Sequence, residues 1–175
     1  MKEIYLGGGC FWGLDHYIGL LPGIISHEAG YANGSTEETD YGKVCSGSGH
    51  SEVVKVRYDE ALLSTPELLQ MYFQVIDPFS LNRQGNDRGV QYRTGIYTSD
   101  SFLLQEAAEA VRKLEAQLGR GVAVEVLPLL NYCKAEEYHQ EYLEKNPGGY
   151  CHISGAAFRY AAAFREEKMK KAENP

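Results

Sequence analysis

The feature that most constrains the fold is the alternation of two hydrophobic periodicities along the chain. Runs with a period of two are typical of strands, and runs with apolar residues at i, i+3, i+4 and i+7 are typical of helices. Strand patterns occupy residues 3–6, 24–31, 52–58, 94–98 and 122–126. With helical patterns between them, the order is β-α-β-β-α-β-α-β. This order predicts an α+β protein, an α/β sandwich with a ferredoxin-like split βαβ core.

The helical patterns have clear boundaries. The first runs from Gly13 to Leu21, and in the second Thr65 is the expected N-cap, followed by Pro66 at the first helical position. A longer pattern ends at Leu118 and Gly119. After the last predicted strand, a short helical pattern over 135–145 gives way to glycine and proline. The C-terminal segment is therefore expected to be long and partly irregular.

Length and charge restrict the classes of function. A chain of 175 residues is long enough to bury roughly 70% of its unfolded surface as a single domain, residues 1–175. The formal charge of −7 argues against nucleic acid or an anionic membrane as the partner. The chain has no apolar run of ~18 residues, and its N-terminus lacks the apolar region of a signal peptide. We therefore expect a cytoplasmic protein that binds neither nucleic acid nor membrane.

The cysteine spacing points to thiols rather than to a metal site. The four cysteines, at positions 10, 45, 133 and 151, form no CxxC pair and no Cys/His cluster with zinc spacing. We therefore predict no metal and no cofactor. In a reducing compartment such cysteines serve either packing or reactivity.

The segment GGGCFWG, residues 7–13, favours reactivity for Cys10. Three glycines allow a sharp turn from the first strand into the first helix. A cysteine at a helix N-terminus lies near unpaired N–H groups and the positive end of the helix dipole. Such a position predicts a thiol pKa lowered to roughly 3.5–7.5. The alternative for Cys10 is a small buried packing residue.

Two further polar clusters are candidates for the same site. Glu52 shares strand phase with Val54 and Val56, so its carboxyl is expected to face inward with a raised pKa. His50, two residues earlier, could face the same pocket; a hydrated carboxylate at the strand end is the alternative for Glu52. In QGNDRGVQY, Asp87 and Tyr92 offer polar groups on a loop, for which a plain Asx-turn is the alternative.

Several motifs together resemble the A-type peptide methionine sulfoxide reductases from Tyr5 to about Ile153. They are GCFWG, GYANG, YGKVCSGSGHSEVV, DPFSLNRQGNDRGVQYRTGIY, AEEYHQEYLEKNP and GYCHI. The resemblance implies reduction of methionine S-sulfoxide, free or in oxidised proteins, with thioredoxin as the reductant. Residues 155–175 lie outside these motifs.

The resemblance also implies roles for individual residues. Cys10 matches the nucleophile, and Cys151 matches the resolving cysteine that forms a disulfide with it. Glu52 matches the acid that protonates the sulfoxide oxygen. The remaining matches are two hydroxyls that hold this oxygen, a polar pocket residue and an aromatic wall for the substrate methyl group: Tyr41, Tyr92, Asp87, Phe11 and Trp12.

Two departures from the family pattern concern cysteines. Many relatives have a recycling cysteine after the resolving one, whereas none follows Cys151 here, so a cycle with one resolving thiol is expected. Cys133 stands where the family often has an aromatic residue, and it is either inert or a secondary resolving thiol. Cys45 is expected to be structural.

Two other functions remain open from the residues alone. A thiol peroxidase or redox sensor needs only a reactive cysteine and a resolving thiol, without Glu52 and the two tyrosines. A module that merely binds oxidised methionine would show no turnover and would leave Cys151 unexplained.

Overall fold

The structure is a computed structural model that describes residues 1–174. The N-terminal half contains β1 (Lys2–Gly7), α1 (Phe11–Gly19), β2 (Ile24–Ala32), α2 (Tyr41–Cys45), β3 (Ser51–Tyr58) and α3 (Thr65–Phe73). The next elements are β4 (Arg83–Gln84), β5 (Asp87–Arg88), a 3-10 turn (Val90–Tyr92), β6 (Gly95–Thr98) and α4 (Ser101–Leu118). The C-terminal elements are β7 (Glu125–Pro128), β8 (Cys133–Lys134), a 3-10 turn (Glu137–His139), α5 (Tyr142–Lys145) and α6 (Gly155–Glu173).

Within residues 1–174, six strands form one mixed sheet in the order β7-β6-β1-β3-β2-β8. β1 pairs antiparallel with both β3 and β6, β2 pairs antiparallel with β3 and β8, and β7 joins β6 in parallel. The inner order β6-β1-β3-β2, linked through α1 and α3, is that of a ferredoxin-like split βαβ unit. The predicted fold class is confirmed.

The main core lies between the sheet and the helices α1, α3 and α4. Its tyrosines are buried with their hydroxyls hydrogen-bonded: Tyr17 donates to the Met71 carbonyl, and Tyr72 donates to the Gly7 carbonyl. A smaller cluster of Tyr5, Val53 and Tyr97 packs on the opposite face of the sheet. The sheet is therefore covered by helices on one face, as a two-layer sandwich requires.

Three local predictions are wrong at their boundaries. The N-cap of α3 is Ser64, which forms a capping box with Glu67, so Thr65 is the first helical residue. β7 begins at Glu125 instead of near Val122, because the preceding Ala123 N–H bonds the Pro78 carbonyl at 2.6 Å, outside the sheet.

The third difference is in the segment 135–145, where only Tyr142–Lys145 is α-helical. The Gln140 side chain bonds the backbone of Ala29 at 2.8 and 2.9 Å, which holds this segment against β2. Glu141 then adopts a left-handed conformation, φ 49°, which interrupts a helix.

Residues 155–173 form the helix α6. Among residues 1–174, none of the helices combines the length and apolarity that a membrane span requires.

Candidate active site

The sheet topology brings the candidate residues to one end of the central strands. Gly7 at the end of β1 pairs with Val53 near the start of β3 and with Gly95 at the start of β6. Ala32 at the end of β2 pairs with Ser51. Because these neighbours are antiparallel, the loop after β1, the loop after β2, the start of β3 and the loop before β6 all meet at this end.

The nucleophile candidate sits on a tight turn between β1 and α1. Gly9 has φ +78°, and a Cβ there would lie 2.7 Å from the Gln84 Cβ, so both conformation and space require glycine. Cys10 is the N-cap of α1, and the residue is partly buried. The predicted position at a strand-to-helix junction is confirmed.

The predicted direction of the Cys10 pKa is wrong. Burial raises the pKa of the thiol above its usual range, and the nearby Glu52 carboxylate adds to this shift. A hydrogen bond from the Trp12 backbone N–H at the helix start lowers the pKa, as predicted, but is outweighed. In the free protein Cys10 is therefore a neutral thiol.

Glu52 faces inward, as its strand phase predicts. Only 2% of the surface of Glu52 is exposed, and its Oε1 accepts a hydrogen bond from the backbone N–H of Phe11 at 3.2 Å. Burial raises the pKa of Glu52 to about 8, against the opposing effect of the Phe11 N–H. The carboxyl is therefore largely protonated at neutral pH, next to the nucleophile turn.

Both predicted tyrosines lie near enough to Glu52 for its charge to raise their pKa values. Burial raises the pKa of Tyr92, and charges on Glu52, Asp87 and Cys10 raise it further, which shows that these groups share one electrostatic environment. A side-chain hydrogen bond with Cys45 is the main reason that the pKa of Tyr41 rises to about 12. Both phenols are therefore neutral hydrogen-bond donors at physiological pH.

The two aromatic residues after Cys10, Phe11 and Trp12, have different surroundings. Phe11 is 1% exposed and packs into the core against Tyr31, with ring centroids 5.6 Å apart. Trp12 is partly buried and stacks on Tyr142 at 3.6 Å with an interplanar angle of 10°. The Trp12 Nε1 donates to Nδ1 of His139 at 2.9 Å. The tryptophan ring is thus held in one orientation.

Cys151, the candidate resolving cysteine, packs close to α1, the helix that follows Cys10. A Cβ on Gly13 would lie 2.8 Å from the Cys151 Sγ, and Gly13 is one helical turn from Cys10. The preceding Tyr150 donates to Asp87 Oδ2 at 3.0 Å. The structure therefore brings Cys10, Glu52, Tyr92, Asp87 and Cys151 to one end of the sheet.

Other residues are placed elsewhere or were missed by the sequence reasoning. His50 is buried outside this cluster, where its ring bonds Ser48 Oγ and the Thr36 carbonyl, each at 2.9 Å. His139 and Tyr142, which hold Trp12, received no individual role from the sequence. The excess of tyrosine over phenylalanine, 13 against 6, was the available signal.

A thiol beside a buried protonated carboxyl and phenol donors, with a second thiol nearby, defines a thiol-dependent oxidoreductase. The family model described as peptide methionine sulfoxide reductase matches residues 2–172, which includes most of α6. The chain belongs to this family, whose activity is the reduction of methionine sulfoxide to methionine.

Individual relatives agree with the family match. The chain is 47% identical to peptide methionine sulfoxide reductase MsrA of Lachnoclostridium phytofermentans, over 90% of this chain and 95% of the relative. It is 50% identical to MsrA of Clostridium perfringens strain 13, over 87% and 98%.

Solved structures show the same fold. Reduced Mxr1 from Saccharomyces cerevisiae is similar with a TM-score of 0.82 and 35% identity, over 87% of this chain and 91% of that chain. Methionine sulfoxide reductase A of Corynebacterium diphtheriae gives a TM-score of 0.78 and 37% identity, over 86% and 77%.

Proposed function

We propose that residues 1–175 act as a single catalytic domain that reduces methionine S-sulfoxide through Cys10, with Glu52 as the proton donor. The observation that carries this assignment is the buried Glu52 carboxyl, which bonds the Phe11 N–H at 3.2 Å and has its pKa raised to about 8. An acid that is protonated at neutral pH and lies beside a thiol is what oxygen transfer from a sulfoxide requires.

In the first step the Cys10 sulfur attacks the sulfoxide sulfur, and the electron pair of the S=O bond moves to oxygen. Glu52 gives its proton to this oxygen, and Tyr41 and Tyr92 donate hydrogen bonds that stabilise the developing charge. The oxygen then moves from the substrate sulfur to the Cys10 sulfur as the bond between the two sulfurs breaks, which releases methionine. The balance is Cys10–SH plus sulfoxide giving Cys10–SOH plus methionine.

The raised pKa of the Cys10 thiol in the substrate-free protein determines when the thiol proton leaves in this step. Cys10 is not a preformed thiolate, so its proton must leave as the sulfur attacks, and it replaces the proton that Glu52 gives to the oxygen. At the start of the step the uncharged Glu52 does not repel the negative charge that builds on sulfur. Asp87 lies in the same electrostatic environment and bonds Tyr150 at 3.0 Å, so we assign it to holding the pocket together.

The substrate methyl group is assigned to the aromatic side of the site. Trp12 has one face covered by Tyr142 and its Nε1 fixed by His139, which leaves the rest of a rigid ring for a sulfur–methyl contact. Such sulfur–aromatic contacts contribute about 0.3–1.5 kcal/mol. Phe11, at 1% exposure, contributes chiefly as the packed support of this wall.

In the second step the Cys151 thiol attacks the sulfur of Cys10–SOH and releases water, which forms a Cys10–Cys151 disulfide. An external dithiol then reduces the disulfide. A structure of yeast Mxr1 has been solved in complex with Trx2, which supports a thioredoxin as the reductant here. The four cysteines of this chain are free thiols, and a cycle driven by a dithiol fits a reducing compartment, so we assign it to the cytoplasm.

The function is tested by a single turnover of fully reduced protein without added reductant, with each sulfoxide epimer supplied separately. We expect about one equivalent of methionine from the S epimer, none from the R epimer and the loss of two thiols. No methionine from either epimer, with rapid thiol loss on adding peroxide, would instead support the thiol peroxidase alternative.

The resolving role of Cys151 predicts a specific defect in Cys151→Ser. This variant should release one equivalent of methionine and then stop with thioredoxin, because Cys10–SOH has no thiol partner. Methionine is measured by chromatography over several turnovers. Cys133→Ser, the matched control, should keep cycling; unchanged thioredoxin-driven turnover in Cys151→Ser would move the resolving role to Cys133.

A further inference from the structure

The segment that carries Cys151 is held in place almost entirely by side chains. Within residues 1–174, the backbone of residues 150–153 forms no backbone–backbone hydrogen bond with the rest of the fold, although Ile153 is buried, with 7% of its surface exposed. Among the described residues, the Cys151 thiol bonds only the backbone of Ile153, at 3.3 and 3.4 Å. Its distance from Cys10 therefore depends on the residues that flank it.

The two neighbours of Cys151 anchor it at different places. Tyr150 donates to Asp87 at 3.0 Å, on the β4–β5 hairpin. On the other side, the Nε2 of His152 lies 3.1 Å from the Gly8 carbonyl oxygen. Gly8 is two residues before Cys10, so the His152 contact joins the resolving segment directly to the nucleophile turn.

The contact with the Gly8 carbonyl determines which nitrogen of the His152 ring carries the proton. A carbonyl oxygen can only accept, so Nε2 carries the proton. The Nδ1 atom is buried and has no partner among the described residues. Burial also lowers the pKa of His152, so the ring stays neutral with a proton on Nε2 alone.

The position of the ring is sterically defined as well. A Cβ on Gly9 would lie 2.9 Å from the His152 Nε2, and one on Gly85 would lie 3.6 Å from the His152 Cβ. The imidazole thus fills the space between the nucleophile turn and the turn of the β4–β5 hairpin. Gly9 leaves room for it, whereas a Cβ at Gly85 would make only an ordinary contact.

From this arrangement we propose that His152 is a positioning residue for the second half of the reaction, in which it holds Cys151 within reach of Cys10–SOH. This inference rests on the proposed function, because only that function requires the disulfide step. The Nε2–H···O bond to Gly8 reduces the freedom of a segment that otherwise has little backbone support. It therefore raises the effective concentration of the resolving thiol at the nucleophile.

The test compares His152→Phe with His152→Gln. Phenylalanine keeps a ring of similar volume but has no donor, whereas the glutamine Nε2 can still donate to the Gly8 carbonyl. Fully reduced wild type and both variants are mixed with methionine S-sulfoxide without reductant. Rapid quenching then follows methionine release, sulfenic acid trapped with a 1,3-dione, and loss of free thiols.

In His152→Phe we expect disulfide formation to slow by roughly fivefold to tenfold more than methionine release, the change expected for one lost hydrogen bond. Sulfenic acid should accumulate in this variant. In His152→Gln the ratio of the two rates should return to within about twofold of wild type. A purely structural role would not produce this split between steps or its rescue by glutamine.

The proposal is overturned if His152→Phe keeps the wild-type ratio of the two rates, or if His152→Gln is as slow as His152→Phe. Absence of methionine release from the wild type would contradict the proposed function instead. A measurement on the native protein does not depend on the folding of variants. Nitrogen-15 NMR of the reduced protein should show His152 as the Nε2-protonated neutral tautomer; the other tautomer or an imidazolium would also overturn the proposal.

Discussion

Cys10→Ser is expected to lower methionine sulfoxide reduction by at least about four orders of magnitude. Serine keeps the size of the side chain and its place at the N-cap of α1. A hydroxyl is, however, a poor nucleophile toward sulfur, and oxygen cannot accept the sulfoxide oxygen to form a stable equivalent of sulfenic acid. The substitution Cys10→Ser therefore removes the chemical step itself and leaves substrate binding largely in place.

The measurement is methionine release with dithiothreitol as the reductant, so that the resolving step does not limit the rate. Cys133→Ser is the matched control, since it removes another partly buried thiol, and it should retain first-step activity. Binding of a substrate analogue by Cys10→Ser shows that the pocket is intact. Activity above about 1% of wild type would contradict the assignment of Cys10 as the nucleophile.

Glu52→Gln is expected to lower kcat by about 10²- to 10⁴-fold with little change in KM. Glutamine has nearly the same shape and can still accept the Phe11 N–H, at 3.2 Å in the structure, through its carbonyl oxygen. It cannot give up a proton to the sulfoxide oxygen. The effect should therefore fall on the transition state, where the negative charge on oxygen develops.

The pH profile provides an independent check on the same residue. The reactive form of Glu52 carries the proton, and its pKa is raised to about 8. Activity that depends on this proton should be present below that pH and fall as the pH rises through it. Glu52→Gln should lack this dependence, whereas the exposed control Glu109→Gln should keep both the wild-type rate and the wild-type profile. A change in KM alone would rule out the role of proton donor.

The placement of Cys10 and Glu52 could be predicted because it depends on local patterns. Glycines after a strand and before a helical period locate the cysteine, and strand phase alone places the Glu52 carboxyl on the inner face. The fold class followed from the order of the same patterns. These features need no knowledge of how distant segments pack.

The thiol pKa and the aromatic wall could not be predicted, because they depend on such distant packing. Cys10 is desolvated by the surrounding fold, and this burial outweighs the local effect of the helix start. Tyr142 reaches Trp12 because Gln140 bonds Ala29 on β2 and the left-handed Glu141 then turns the chain. A helical period in the sequence carries no information about either contact.

The sheet order has a consequence for how this protein withstands damage. Native proteins open locally at their edges more readily than at their centres. β1 and β3 carry the nucleophile turn and Glu52, and each is paired on both sides, whereas β7 and β8 are edge strands. The methionines differ in exposure: Met71 on α3 is 3% exposed in the core, while Met1 and Met169, at the two ends of the chain, are 71% and 37% exposed. Oxidants therefore reach Met1 and Met169 before Met71. Fraying at either edge of the sheet leaves Cys10 and Glu52 together, also in molecules whose exposed methionines are already oxidised.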